Sequence, residues 1–294
     1  MAKSYSFLLK FIRTKFKILS KVSKQATAKE AFALFCTPLA RITHDPLNLL
    51  NAESLSFEMN GTIIKGFRWQ KGGAPKVLLI HGFSSSVANF HHFAELLSGL
   101  QYEVLGFDAP GHGISGGKQL NAVVYADMIK KIIREYGPIE NFISHSFGGL
   151  AVCLALEEQP QSASTKIVLI APATETTTAI NSAFKMIQIA DQKVRQEFDK
   201  LIMNISGKNT EWYSIKRALK NVRAKVLWLH DKDDNVTPLS DAQAAYDELN
   251  DPALQFIITK GLGHRRIYRD PGIIKTVCSF LTEGDTRSSL KEIT

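Results

Sequence analysis

Asn141-Phe-Ile-Ser-His-Ser-Phe-Gly-Gly149 is the stretch from which the rest of this chain is read. Phe142 and Ile143 are strand formers, and Leu150-Ala-Val-Cys-Leu-Ala-Leu-Glu-Glu158 after them reads as a helix. Between strand and helix stand mostly small residues around one serine, Ser146. A nucleophile at such a strand-to-helix turn sits on strained backbone that pushes its Oγ out of the sheet toward a pocket. The positions two before and two after it must be small, because neighbouring backbone passes close by. Gly148 meets that need, and Ser144 stands where glycine is usual, so the motif is Ser-x-Ser-x-Gly.

Such a turn needs three supporting pieces in a fixed order. An earlier strand must end in a turn that offers a backbone N–H to an oxyanion. An acid must follow a later strand, and a histidine the strand after that. Lys76-Val-Leu-Leu-Ile80 is a short apolar strand that runs into His81-Gly82-Phe83, where glycine lets the backbone turn and the Phe83 amide can face an oxyanion. The strand Lys225-Val-Leu-Trp-Leu229 leads into His230-Asp-Lys-Asp-Asp-Asn-Val-Thr-Pro238, where Asp231, Asp233 and Asp234 compete for the acid. The strand Leu254 to Ile258 leads into Gly261-Leu-Gly-His264. Serine, acid and histidine therefore follow three strand ends in that chain order, on the edge where open α/β sheets bind ligands.

Length and composition agree with this frame. The 294 residues, 45% hydrophobic, suit one large α/β domain with an insertion. No stretch approaches the ~20 apolar residues of a membrane span. Cys36, Cys153 and Cys278 are odd in number, far apart and set in apolar segments. They read as free buried thiols in a reducing compartment, which points to the cytoplasm. The net charge of +8 is concentrated at one end: residues 1–30 hold eight basic residues against Glu30, leaving only +1 for the remainder. A nearly neutral body gives no argument for nucleic acid as a partner.

The basic end has helical periodicity. Leu8, Ile12, Phe16 and Leu19 share one face, flanked by Phe11, Ile18 and Val22, while Lys10, Arg13, Lys17, Lys21 and Lys24 share the other. The lysines rule out a secretory signal. Two readings remain: residues 7–24 lie on an anionic lipid surface, peripherally at the inner face of a membrane, or they pack on the body or a partner subunit. A second helical piece runs from Ala28 to Phe35 and stops before Thr37-Pro38, and residues 39–52 read as an irregular connector.

Beyond residue 53 strand and helix alternate. Ser54 to Met59 and Thr62 to Trp69 form a hairpin about Asn60-Gly61. Helix follows over Ala88 to Leu100, then the strand Tyr102 to Phe107, the turn Asp108-Ala-Pro-Gly-His-Gly113 and the helix Asn121 to Tyr136. Asp108 is expected to cap its turn, and His112 to be structural or pocket-lining. Lys166 to Ala171 is a further buried strand, and helices over Leu239 to Leu249 and Ile273 to Thr282 complete the set. The alternation predicts a mostly parallel, doubly wound sheet with helices on both faces.

Taken together these pieces resemble the α/β-hydrolase fold family of serine hydrolases, over residues 54–283. The resemblance rests on His81-Gly82-Phe83, Asp108 to Ser115, Ser144 to Gly149, His230 to Pro238 and Gly263-His264. It implies Ser146 as nucleophile, His264 as general base, and the amides of Phe83 and Phe147 as an oxyanion hole. In that family the triad acid commonly lies four residues before the proline, which ranks Asp234 ahead of Asp233 and Asp231. No cofactor or metal is called for. The implied activity is cleavage of small-molecule carboxylic esters or thioesters. Its alternatives are C–C, amide or peroxide chemistry at the same triad, or a silent hydrolase-like binding protein. Residues 173–223, between two strands, are far longer than an ordinary loop and are expected to form a helical lid. Phe184 and Ile187 from this interval, with His145 beside the nucleophile, are the candidates for lining a substrate pocket. Residues 284–294 read as a tail.

Overall fold

The computed structural model describes residues 2–41, 51–162 and 164–283, so most of the 39–52 connector and the 284–294 tail lie outside it. Two N-terminal helices, α1 (Ala2–Val22) and α2 (Lys24–Cys36), precede the sheet. The break between them is set by Ser23, whose backbone is extended and whose hydroxyl accepts from the amide of Ala26 to cap α2. Residue 37 leaves the helix just before Pro38, as proline sterics require.

The hairpin β1 (Glu53–Met59) and β2 (Thr62–Trp69) comes next, then β3 (Lys76–Ile80), α3 (His91–Gly99) and β4 (Glu103–Phe107). Helix α4 (Ala122–Tyr136) is capped by Asn121, whose side-chain oxygen accepts from Val124 N at 2.9 Å. Then follow β5 (Asn141–His145), α5 (Phe147–Leu156) and β6 (Lys166–Ile170). The long interval expected between strands is helical: α6 (Thr176–Ile187), α7 (Gln192–Ser206) and the short α8 (Ile215–Leu219). The chain closes with β7 (Lys225–Asp231), α9 (Leu239–Leu249), β8 (Leu254–Thr259), a single turn α10 (Gly263–Arg266) and α11 (Pro271–Thr282).

Eight strands form one sheet in the order β1-β2-β4-β3-β5-β6-β7-β8. The first two ladders, β1 with β2 and β2 with β4, are antiparallel, and the other five are parallel. The expected mostly parallel, doubly wound sheet is therefore the fold. Alternation along each strand separates two cores. Leu78, Ile80, Leu105, Phe107, Leu169 and Trp228 face α4, α5 and the insertion, whereas Val77, Leu79, Val104, Val168, Leu227 and Leu229 face α3 and α11. Every residue of β4 and β5 is buried, polar Glu103, Asn141, Ser144 and His145 included, as befits inner strands covered on both faces. Cys36 and Cys153 are buried free thiols as expected, while Cys278 is partly exposed.

Helix α1 packs on the body through Phe16, which is buried, with Ile12 against the same core. Arg13 Nε donates to the carbonyl of Met186 at the end of α6, and Lys24 pairs with Asp191 at 2.5 Å, at the cap of α7. The packing reading of this helix is thus met. Yet Phe7, Phe11, Ile18 and Val22 are left 75, 62, 61 and 77% exposed on another face. Leu8, placed by periodicity with the packed residues, is exposed too, because the helix contacts the body toward its C-terminal half. Among the described residues no helix is long and apolar enough to cross a membrane.

Candidate active site

The site forms where β3, β5, β7 and β8 end together. Ser146 follows β5 directly and has φ 54° and ψ −122°, a conformation that costs an L-residue energy and is held by its surroundings. Its amide is fixed by Ile170 O at 3.1 Å, and its carbonyl accepts from Gly149 N and Ala173 N. The small-residue requirement can be measured. A Cβ on Gly148 would lie 2.7 Å from the carbonyl oxygens of Ile80 and His81, so α5 could not approach β3 with any larger residue there. Ser144, on the other flank, is fully buried, and its hydroxyl donates to Val168 O on β6 at 2.9 Å. The extra hydroxymethyl group is accommodated by giving it a hydrogen bond.

His264 enters from α10, after β8. Its Nε2 lies 3.0 Å from Ser146 Oγ, and its Nδ1 lies 2.8 Å from Asp234 Oδ2. Since a carboxylate only accepts, the proton between the latter pair sits on Nδ1, which leaves Nε2 free to accept from the serine. The other carboxylate oxygen of Asp234 accepts from the amides of Val236 and Thr237 at 2.8 and 2.9 Å, and Thr237 Oγ1 donates to Oδ2 at 2.9 Å. Burial alone would raise this carboxyl, but the hydrogen bonds from His264 and the loop amides outweigh it and hold Asp234 down at about 2.

The competing aspartates are occupied elsewhere. Asp231 accepts from Asp233 N, Thr259 Oγ1 and Leu262 N, strapping β7 to the loop after β8. Asp233 accepts from Gly261 N at 3.0 Å. Both shape the loop that carries His264 without touching its ring.

The turn after β3 passes beside the serine: a Cβ on Gly82 would meet Ser146 Cβ at 2.9 Å and His145 Nδ1 at 3.0 Å. Phe83 follows it, and the rings of Phe83 and Phe147 meet edge to face at 5.9 Å. Phe147 is the first residue of α5, where leading amides lack intrahelical partners. Several side chains hold this turn. His81 Nε2 accepts from Ala109 N, Tyr125 Oη donates to His81 O, and His112 Nε2 accepts from Ser84 N at 3.0 Å. Asp108 receives the amides of Val87 and Ile114, as its capping role required. His112 is structural: burial first, then the neighbouring His81, pushes it down to about 4 and keeps it neutral.

A cavity of about 220 Å³ opens beside Ser146. None of its lining side chains is charged, and Phe83, Phe147, Leu150 and Leu120 give it apolar walls. The three pocket candidates from sequence are not among its lining residues. Phe184 and Ile187 are buried in the core, Phe184 edge-on to Phe198 at 5.2 Å, because their apolar face packs α6 against α1 and α7. His145 lies between His264 and Tyr268, its Nε2 donating to His264 O at 2.8 Å, so it supports the histidine loop and not a ligand. The insertion reaches the cavity instead through Thr176, Ala179, Ile202, Ile205 and Ser206. Sequence reading also passed over Thr237 and, more consequentially, α2, which contributes Phe32, Phe35 and Cys36. The signal for α2 was present in Ala28, Ala31, Phe32, Phe35 and Cys36, an apolar stripe at helical spacing.

Comparison with known proteins agrees with the geometry. Residues 74–211 match the family model for serine aminopeptidase, S33. Mouse monoglyceride lipase is 27% identical over 114 residues. That alignment covers 35% of this chain and 37% of the lipase, so the chain spans little more than a third of the curated relative it matches. Among solved structures, an esterase of Pyrococcus furiosus is similar with a TM-score of 0.63 and 18% identity, over 84% of this chain and 97% of the esterase. A bacterial membrane phospholipase A, described as a virulence factor, is similar with a TM-score of 0.59 and 16% identity, over 96% of this chain and 99% of the phospholipase. By sheet order, turn geometry and these likenesses the chain has the α/β-hydrolase fold.

Proposed function

We propose that this chain is a serine hydrolase that cleaves carboxylic esters, or thioesters, through an acyl-enzyme on Ser146. The observation that carries the proposal is the continuous relay of 3.0 Å from Ser146 Oγ to His264 Nε2 and 2.8 Å from His264 Nδ1 to Asp234. Oγ attacks the carbonyl carbon while Nε2 takes its proton, and Asp234 stabilises the imidazolium. The amides of Phe83 and Phe147 receive the oxyanion, a contribution on the order of 100-fold or more per donor. The C–O or C–S bond to the leaving group breaks as His264 returns the proton to it. Water then attacks the acyl carbon, again losing a proton to His264, and frees Ser146 with release of the carboxylic acid.

The cavity favours esters over peptides. An aminopeptidase must hold a free ammonium group, and no acidic side chain lines this cavity among the described residues. An apolar, uncharged lining suits a small-molecule ester with an aliphatic group. Labelling with a fluorophosphonate probe tests the proposal: wild type should label and Ser146→Ala should not. An ester and thioester panel then separates the two leaving groups, and a wild type inert to both probe and panel sinks the reading.

The exposed stripe of α1 supports a second element of the function, attachment to anionic bilayers from the cytoplasmic side. Phe7, Phe11, Ile18 and Val22 face outward, and Lys10, Lys17 and Lys21 form no ion pair among the described residues. Apolar side chains inserted among lipid headgroups and lysines near anionic lipid act together, each lysine contributing about 1 kcal/mol at low salt.

A further inference from the structure

The cavity beside Ser146 is not built by the hydrolase body alone. Cys36, at the last turn of α2, is fully buried with Leu120 and Leu150, and these three close the cavity away from solvent. Phe32, one helical turn earlier, and Phe35, the residue just before, also line it. Both rings pack against Phe198 of the insertion, at 5.7 and 6.2 Å between centroids, so α2 and α7 form one continuous wall. The end of α2 is pinned to the body by a hydrogen bond from Leu120 N to Cys36 O at 2.8 Å. Of the other lining residues, Ile205 and Val236 are about half exposed and mark an open rim.

A closed end and an open rim assign the two halves of an ester. The acyl group stays bonded to Ser146 through the second half of the reaction, while the alcohol must depart and water must enter. The enclosed apolar end therefore suits the group that stays. We propose that α2, which lies wholly outside residues 74–211 that match the family model, is the specificity wall for the acyl chain, with Phe32 and Phe35 contacting the chain and Cys36 limiting its length. This proposal rests on the acyl-hydrolase reading and names its substrate class as esters of aliphatic acids long enough to reach α2.

The test is a series of p-nitrophenyl esters from acetate to dodecanoate, read as the ratio of kcat/KM for octanoate to that for acetate. A side chain that merely supports the fold moves all chain lengths together and leaves the ratio alone. Phe35→Ala should lower the ratio about tenfold or more, since one methylene in an apolar pocket discriminates by roughly 10-fold upward, and Phe35→Leu, which keeps most of the apolar surface, should lower it less. Cys36→Phe should move the optimum to shorter acids. If Phe35→Ala fails to fold, the Phe35→Leu ratio carries the test with thermal melting as the control for integrity. Ratios within twofold of wild type in the folded Phe35 variants, with Ser146 still labelled by fluorophosphonate, overturn the proposal and reduce α2 to packing. A wild type that neither labels nor turns over any ester fails earlier, at the hydrolase reading, and takes this proposal with it.

Discussion

Asp233 gives its carboxylate to the amide of Gly261, 3.0 Å away, while the very next residue turns its own toward His264. On the proposed mechanism, adjacent residues on one loop thus divide structural and chemical tasks, and mutation can tell them apart. Asp234→Asn should lose about 10⁴-fold in kcat, because an amide at that position favours the wrong imidazole tautomer. Asp233→Asn should lose far less, since it only weakens one loop contact. Steady-state kinetics on an ester substrate decide; a dead Asp233→Asn beside an active Asp234→Asn would invert the assignment.

Ser144 offers a second discrimination. Its hydroxyl is buried and bonded to Val168 O, so Ser144→Ala should cost about 1 kcal/mol of stability from denaturant melts and leave turnover near wild type. Ser144→Val adds bulk at a fully buried site and should destabilise by more. Equal stability of Ala and Val variants would mean that the site is looser than its burial implies.

Acid sensitivity should trace to histidine before carboxylate. Burial above all, then the charge of neighbouring His264, holds His145 down to about 3 from an ordinary 6.5. A depressed folded value means that stability is fully present above about 6.5 and is lost as pH falls toward 3, amounting to a few kcal/mol in order of magnitude. Asp234, held at about 2, acts in a lower window, between about 4 and 2. Urea midpoints measured from pH 7 to 4 should therefore fall for wild type and fall less steeply for His145→Gln, which keeps a donor for His264 O. Identical slopes would assign the loss to other groups.

The outward stripe of α1 predicts salt-sensitive association with phosphatidylglycerol vesicles. Phe7→Ser, Phe11→Ser and Ile18→Ser combined should abolish co-sedimentation at low salt, since these side chains touch little of the body. Point substitution is the appropriate test here. Deleting residues 1–25 would also remove Ser23, the cap of α2, and the ion pair of Lys24 with Asp191. A wild type indifferent to anionic vesicles leaves α1 as a packing helix alone.

Much of this was readable from residue order. The elbow at Ser144 to Gly149, the hairpin about Asn60-Gly61 and the Ser, Asp, His succession announce themselves through turn chemistry and strand periodicity, which are local. The pocket was harder. Phe184 and Ile187 show the apolar inner face of their helix, but periodicity does not say whether that face meets core or cavity, and here it meets Phe198. Phe32 and Phe35 lie more than a hundred residues before Ser146, and only tertiary packing on α7 brings them to it. The separation of Asp234 from Asp233 likewise depended on the resemblance to a family, because both aspartates fit the loop equally well by spacing.

The hydrogen bond from Leu120 to Cys36 and the ion pair of Lys24 with Asp191 fasten α2 at its two ends, one to the body and one to the insertion. A segment held at both ends does not swing aside as a door would. On the proposed acyl-hydrolase reading, traffic would then use the rim at Ile205 and Val236, with substrate entering and both products leaving past the same residues. Product inhibition by the released acid should be built into such a plan, since the last molecule to depart blocks the path of the next to arrive.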